Sequence, residues 1–305
     1  MSFDVTAFTD YVNEQSTDLL TRSLTGAQSA ALFNIQTGIK SSADLHIFTT
    51  DAIFQAGGSC SRTASGTTTF TKRNLTVGKI QVAEDLCPKD LEAKWTQIML
   101  PNGSVYEDIN FFATEYMGKK SDTIANQLET AIWTGNTASG NANLSRFDGL
   151  LKLIDADATV VSATASTISE ANIRTILRNI KDNLPDQIRD KDDVKVLCGW
   201  DTFDTYVNKL AIDNLFHKSG EGGEMGEMSI ENSRVVLKAV NGLTGTNRII
   251  AGRMSNFFIG LDMQDESDNF ETWYSQDDRN VKFNVEFKYG TQYAFGDEIV
   301  EYTNV

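Results

Sequence analysis

Apolar residues recur at steps of three and four over residues 104–135, which predicts one long amphipathic helix. Residues 101–103 precede it as a Pro-Asn-Gly turn, and Ser104 with Glu107 has the spacing of a capping box. Gly135 follows the last turn and is a typical helix end. We call this segment the spine helix. Its expected core positions include Ile109, Phe112, Tyr116, Leu128 and Ile132.

Residues 45–87 are strand-like and almost empty of helix formers. Two extended runs flank a tip of small residues, 57–66, which begins with Gly57 and Gly58, and this pattern predicts a β-hairpin. The apolar phase changes at Gly78, where we expect a bulge. A two-stranded ribbon without a core is marginally stable by itself in water. The hairpin therefore needs a surface to lie on, in this chain or in another copy.

The second half of the chain predicts two further patterns. Between residues 147 and 261, short apolar strands alternate with amphipathic helices, which indicates a mixed α/β unit around a small sheet. The small polar residues 136–143 form the expected connection to it. Residues 281–287 alternate strictly between apolar and polar positions, which predicts a half-buried strand that resumes after a break at Gly290.

Residues 1–44 show a short amphipathic pattern followed by small residues. The pattern is too short and too polar to form a core. Two interpretations remain open: an arm that packs on a neighbouring subunit, or an N-terminal helix on the chain's own domain.

Composition limits the classes of function. A chain of 305 residues with 40% hydrophobic and 23% charged residues is ordinary for a soluble protein with two subdomains. No apolar run approaches the length of a membrane span, and the first residues lack a signal-peptide pattern, so we expect no membrane partner. The formal charge of −15 argues against binding nucleic acid by neutralising phosphates. Any relation to nucleic acid would be containment.

No catalytic, cofactor or metal site is expected. The two histidines, His46 and His217, have no nucleophile elbow beside them. The glycine-rich segment 220–226 lacks the Lys-Ser/Thr ending of a phosphate loop and carries two glutamates. The acidic segment 262–278 departs from an EF-hand at Phe270, where the calcium loop needs glycine. The three cysteines show no Cys-x-x-Cys spacing.

The order of these parts resembles the major capsid proteins of tailed bacteriophages with the Hong Kong 97-type fold. The resemblance covers nearly the whole chain. Three local features accompany it: residues 85–92 before the spine helix, residues 147–150 after it, and residues 287–296 near the end.

The resemblance implies an α+β fold of four parts. Residues 1–44 would be the N-terminal arm, and residues 45–84 the extended loop over a neighbouring subunit. A peripheral domain would comprise residues 85–143 and 280–295, with the spine helix within it. An α/β axial domain would comprise residues 144–279 and 296–305. The loop residues expected at the intersubunit contact are Gly57, Gly58, Phe70, Lys72, Arg73 and Lys79.

The same resemblance implies a structural protein rather than an enzyme. Copies would assemble as pentamers and hexamers into an icosahedral shell that encloses double-stranded DNA without binding it specifically. A separate scaffold protein and a portal would be its partners. The shell would assemble in the host cytoplasm and become part of the virion.

Three alternatives remain open from the sequence. An encapsulin, which encloses cargo enzymes, would have the same fold. An α/β enzyme with a regulatory ribbon would be a monomer or small oligomer with a ligand cleft. A carbohydrate-binding module has only the scattered tryptophans in its favour.

Overall fold

The computed structural model describes residues 16–54, 65–87, 109–163, 166–213, 226–231, 233–262 and 270–303. Within these ranges the helices are α1 (Ser16–Thr25), α2 (Ile109–Thr134), α3 (Leu150–Asp155), α4 (Ile173–Asn183) and α5 (Trp200–Ile212). The strands are β1 (Asn34–Gln36), β2 (Ser42–Thr50), β3 (Thr68–Thr76), β4 (Gly78–Leu86), β5 (Val161–Ser162), β6 (Val194–Cys198), β7 (Glu227–Ser229), β8 (Val236–Ala239), β9 (Arg248–Arg253), β10 (Phe257–Asp262), β11 (Phe270–Ser275), β12 (Asn280–Tyr293) and β13 (Val300–Thr303).

The strands form three sheets. In the first, β12 is central: β4 pairs along one edge, while β10 and β11 share the other, and β1 pairs with β10. The second has the order β5-β13-β9-β6-β8-β7, and the third contains β2 and β3 alone. An α+β fold is thus confirmed.

The spine helix α2 packs on the first sheet. Met117, Ile124, Leu128 and Ile132 are buried in the main hydrophobic cluster, as the three- and four-residue spacing predicts. The helix ends at Thr134, and the backbone N–H of Gly135 donates to the carbonyl of Ala131, so the predicted end is confirmed. The predicted capping box at residues 104–107 lies outside the described residues. No described helix is both long and apolar enough to span a bilayer.

Helix α1 packs against α2 of the same chain. Leu24 is buried in the main cluster, and Arg22 pairs with Asp122 at 2.9 Å. Further along, Ser29 hydrogen-bonds Glu129, and β1 pairs with β10. Of the two interpretations of residues 1–44, the described part from residue 16 onward therefore fits a helix on the chain's own domain. Residues 1–15 lie outside the described residues.

The alternating strand β12 runs unbroken for 14 residues, with Val281, Phe283, Val285 and Phe287 buried. The expected break at Gly290 is wrong. A Cβ at Gly290 would lie 2.1 Å from the carbonyl oxygen of Thr76, so the glycine allows the root of the ribbon to approach the strand.

Strand β4 differs from the predicted extended loop. It pairs with β12 from Gly78 to Leu86, so only residues before it remain in the two-stranded ribbon. The apolar phase changes at Gly78 because the chain passes there from the two-stranded ribbon to the first sheet. A Cβ there would lie 1.9 Å from the carbonyl oxygen of Arg146, which explains why a glycine stands at this point.

The α/β unit surrounds the second sheet, whose buried strands pack with α4 and α5 in a separate hydrophobic cluster. Strands β10 and β11 do not belong to it, because both pair with β12. The sequence prediction had left these strands among residues 144–279. Their pairing partner lies further along the chain, and local patterning does not specify such a partner.

Candidate assembly surface

Strands β2 and β3 form an antiparallel ribbon that extends from the body of the subunit. The register runs from Ser42 opposite Thr76 to Thr50 opposite Thr68, and the N–H of Asp51 donates to the carbonyl of Thr67 at 3.0 Å. At about 3.3 Å per residue, nine-residue strands extend roughly 30 Å. The tip residues Gly57 and Gly58 lie outside the described residues.

The root of the ribbon has a small apolar core. Leu45, Leu75 and Val77 are buried with Ile39, and Phe258 of β10 packs against them. Opposite-facing side chains at the root are polar and exposed, as expected for a half-buried hairpin. The root is therefore fixed to the first sheet by burial.

The outer part of the ribbon carries exposed aromatic rings. Phe48 and Phe70 stand opposite each other in the register, with ring centroids 6.2 Å apart. Their exposed fractions are 62% and 80%, and the pair has no cover from the described part of this chain. Beyond β2, Ile53 and Phe54 are also exposed, Phe54 completely. Apolar patches of this kind mark protein contact surfaces.

An ion pair joins the ribbon to the body of the subunit. The guanidinium of Arg73 lies 2.5 Å from Asp157 and stacks over the ring of Tyr293, 4.6 Å from its centroid. The hydroxyl of Tyr293 donates to the same carboxylate at 2.9 Å. Thr159 donates to it twice, through its N–H at 2.9 Å and its hydroxyl at 2.7 Å.

These contacts stabilise the charged form of Asp157. Burial by itself would raise the pKa of this carboxyl, but the hydrogen bonds from Thr159, Arg73 and Tyr293 together outweigh it and hold the pKa well below its ordinary value. Asp157 is therefore ionised at neutral pH, which allows it to pair with Arg73.

The four predicted contact residues that the structure describes differ in their surroundings. Phe70 is exposed on the ribbon, where a neighbouring copy can reach it. Lys72 pairs with Asp44 at 2.8 Å, and this hydrogen bond is the main cause that lowers the pKa of Asp44. Arg73 faces the body of its own chain, and Lys79 lies exposed in β4 opposite Lys288. Of these four described residues, only Phe70 has the exposure and apolar character expected of an anchor.

Sequence reasoning missed Phe48, Ile53 and Phe54. Leu45 and Ile47 alternate on one face of the strand, and Phe48 follows directly on the other face. An apolar residue on the otherwise polar face was the signal in the sequence that could have identified it. Its position opposite Phe70 depends on the hairpin register, which the length of the tip determines.

The predicted core residues of the spine helix have different surroundings. Leu128 and Ile132 are buried, whereas Tyr116 is half-buried and donates its hydroxyl to Glu84 of β4 at 3.0 Å. Burial, then the Glu84 carboxylate, raises the pKa of Tyr116 well above its usual range. The side chains of Ile109 and Phe112 lie outside the described residues.

A groove of about 370 Å³ lies between β4 and the spine helix. Its apolar lining comes from Ile80 and Val82 of β4, Ile124 and Leu128 of α2, and Phe287 of β12. Lys120, Gln127 and Arg146 add polar groups. Within the described ranges, no group of three or more His, Cys, Asp or Glu side chains is placed to hold a metal ion.

Solved structures with a similar fold were found by comparison of the whole chain. The satellite phage P4 procapsid that includes the size determination protein matches with a TM-score of 0.58 and 10% identity, covering 94% of this chain and 98% of that chain. The capsid of Myoviridae phage XM1 matches with a TM-score of 0.58 and 13% identity, over 90% of each chain. The chain has the Hong Kong 97-type capsid fold.

A third structure supports the same fold. The capsid of a native GTA particle matches with a TM-score of 0.59 and 10% identity, covering 93% of this chain and 90% of that chain. No protein-family model matches the chain, and no curated protein matches it. At these identities the likeness establishes the fold, and the likeness extends over almost the full length of each capsid chain.

Proposed function

We propose that this chain is the major capsid protein of a tailed bacteriophage, which assembles with copies of itself into an icosahedral shell. The observation that carries the proposal is the ribbon with its exposed Phe48 and Phe70, on a chain whose fold matches capsid subunits over at least 90% of its length. A hairpin with a core at its root alone is stable in water only if another surface covers its outer part.

In the proposed shell, the ribbon of one subunit lies over its neighbour. The groove between β4 and the spine helix is the receiving surface that we assign, because it offers apolar walls of about the size that aromatic side chains need. Burying a phenylalanine side chain contributes about 1.5–3 kcal/mol, so two rings per contact give a substantial gain for each neighbour.

The other parts then take the roles expected from the resemblance. The first sheet and the spine helix form the peripheral domain, now including β10 and β11. The second sheet with α4 and α5 forms the axial domain, which meets its copies at the centres of pentamers and hexamers. The expected extended loop makes the contact with the neighbouring subunit, but it ends before β4 and is therefore shorter than residues 45–84.

The proposed shell encloses double-stranded DNA and does not bind it specifically. A net charge of −15 supports this, because an acidic wall repels phosphates and does not adsorb the genome. A separate scaffold protein and a portal are the proposed assembly partners, with assembly in the host cytoplasm and the virion as the final location. The proposed role is structural, without catalysis.

A double substitution of Phe48 and Phe70 by serine tests the ribbon contact. Both side chains are exposed, so we expect the subunit to remain folded with its melting temperature unchanged, while shell formation is lost. The matched control replaces both residues by leucine, which keeps the apolar surface and should keep assembly. Circular dichroism would report folding, and sedimentation velocity with negative-stain microscopy would report shells. Normal shells from the serine variant would contradict the proposal.

A further inference from the structure

Arg146 lines the groove between β4 and the spine helix, beside its apolar walls. Its side chain is exposed, and within the described part of the chain it makes no hydrogen bond, ion pair or ring contact. Its backbone is held in place, because Gly78 of β4 lies so close that a Cβ there would be 1.9 Å from the Arg146 carbonyl oxygen. The next residue, Phe147, is buried in the main hydrophobic cluster. The Arg146 side chain therefore begins at a fixed position next to the groove.

The second cation that lines the groove, Lys120, already has partners. Its ammonium pairs with the Glu84 carboxylate and lies 5.9 Å from the ring centroid of Phe283. Of the two cations along the groove, Arg146 is thus the one whose charge has no partner among the described residues. A guanidinium beside apolar walls attracts either a carboxylate or the face of an aromatic ring. The groups that the neighbouring ribbon presents decide between the two.

The face of the ribbon that carries the rings offers no free carboxylate. Side chains alternate along β2, so Asp44 and Phe48 lie on the same face, opposite Phe70 of β3. Asp44 is the only carboxylate in β2 and β3, and it pairs with Lys72 at 2.8 Å. Asp51 follows β2 and by the same alternation belongs to the other face. On this face, the groups left for a cation of the groove are therefore the two aromatic rings.

We propose that the guanidinium of Arg146 in one subunit stacks on an aromatic ring, Phe48 or Phe70, of the ribbon of the next subunit. The inference rests on the proposed function, since it takes the contact between ribbon and groove as given and names the residue that selects aromatic side chains there. Arg73 and Tyr293 have this geometry within one chain, with 4.6 Å between the guanidinium carbon and the ring centroid. Assembly removes the groove from water, which strengthens a contact of this kind.

The critical concentration for shell assembly by the full chain, measured by sedimentation, tests the proposal in a double-mutant cycle. Arg146→Gln should raise this concentration about fivefold, because the attraction between guanidinium and ring is lost. In the Phe48→Leu/Phe70→Leu variant, which keeps the apolar surface but has no rings, Arg146→Gln should cause no further rise. The melting temperature of the free subunit should not change in Arg146→Gln, since the side chain is exposed.

Asp51→Asn separates a ring from a carboxylate as the partner of Arg146. It should change neither the critical concentration nor the effect of Arg146→Gln. A rise in Asp51→Asn that leaves Arg146→Gln without further effect would assign the arginine to Asp51 and overturn the proposal. An unchanged critical concentration in Arg146→Gln, or an equal rise with and without the rings, would overturn it as well. Shells still form in these three results, so the proposed function stands. A parent chain that forms no shells would contradict the proposed function and this inference together.

Discussion

At the scale of single residues, Ser29 joins the N-terminal segment to the spine helix. Its N–H and hydroxyl donate to the Glu129 carboxylate at 2.8 and 2.7 Å, and its oxygen accepts from the Trp133 indole at 2.7 Å. All three side chains are buried. One hydroxyl thus satisfies a buried acid and a buried indole at the same time.

Replacement of Ser29 by alanine should therefore lower the stability of the subunit. The loss of the hydroxyl leaves Glu129 and Trp133 each short of a partner, at a cost of about 2–4 kcal/mol in the free energy of unfolding. Urea denaturation followed by tryptophan fluorescence would measure it. Ser41→Ala, at an exposed position, is the control and should change the stability by less than about 0.5 kcal/mol. Equal stability of both variants would show that the hydrogen bonds of the Ser29 hydroxyl do not stabilise the subunit.

Asp157 gives a prediction with a pH dependence. Its pKa is lower in the folded chain than the ordinary value of 3.8, so it stabilises the subunit above that value and loses the effect as the pH falls toward the folded pKa. Asp157→Asn should cost about 1–3 kcal/mol near neutral pH, and the difference from the parent should shrink below about pH 4. Urea denaturation at several pH values measures this.

The control for this substitution is Asp122→Asn. Asp122 pairs with Arg22 at the surface, where both side chains are 57% exposed, and such pairs contribute little. A difference between Asp157→Asn and the parent that stays constant from neutral to acidic pH would contradict the assigned role of the carboxylate.

At the scale of elements, the pattern of apolar and polar residues predicted the helices and strands that depend on local sequence. The alternation of β12 fixes which face is buried and was predicted correctly. The stripe of α2 predicted the buried positions Leu128 and Ile132, whereas Tyr116 is half-buried. The pairing of β10 and β11 with β12 was missed, since partner choice depends on residues far apart in the chain. Gly290 was misread as a break, because its close approach to Thr76 exists only in the folded subunit.

The assembly surface was predictable only in part. The hairpin followed from composition and phase, and Phe70 was expected at the contact from the resemblance to capsid proteins. The small apolar core at the root of the ribbon was not predicted. The aromatic pair with Phe48 required the register, and the ion pair of Arg73 with Asp157 required the packing of the ribbon root.

The ribbon should also differ from the rest of the subunit in hydrogen exchange. Backbone amides of its outer part, near Phe70, lie in a two-stranded pair and should exchange quickly in the free subunit. Amides in the middle of β12, which pairs on both edges, should be protected. In the assembled shell, the ribbon amides should become protected while those of β12 stay unchanged. Ribbon protection that is equal in free subunit and shell would argue against cover by a neighbour.

At the scale of the whole molecule, the body of the subunit buries its apolar side chains and the outer part of the ribbon exposes them. Two large clusters, one around β12 and α2 and one around the second sheet, bury most of the described apolar side chains. The ribbon instead presents Phe48 and Phe70 to solvent. The hydrophobic cores thus form within a single chain, whereas the aromatic surface of the ribbon stays uncovered in that chain. An uncovered surface of this kind suits a repeated contact between identical copies.

The central claim is that identical copies cover each other's ribbons in a closed shell. Cryo-electron microscopy of particles from cells that express the full chain, alone and with the proposed scaffold protein, tests it most directly. The account predicts closed shells built of pentamers and hexamers, with Phe48 and Phe70 of one subunit against the groove between β4 and the spine helix of the next. A chain that stays a monomer at high concentration, or shells in which the ribbon contacts no neighbour, would contradict it.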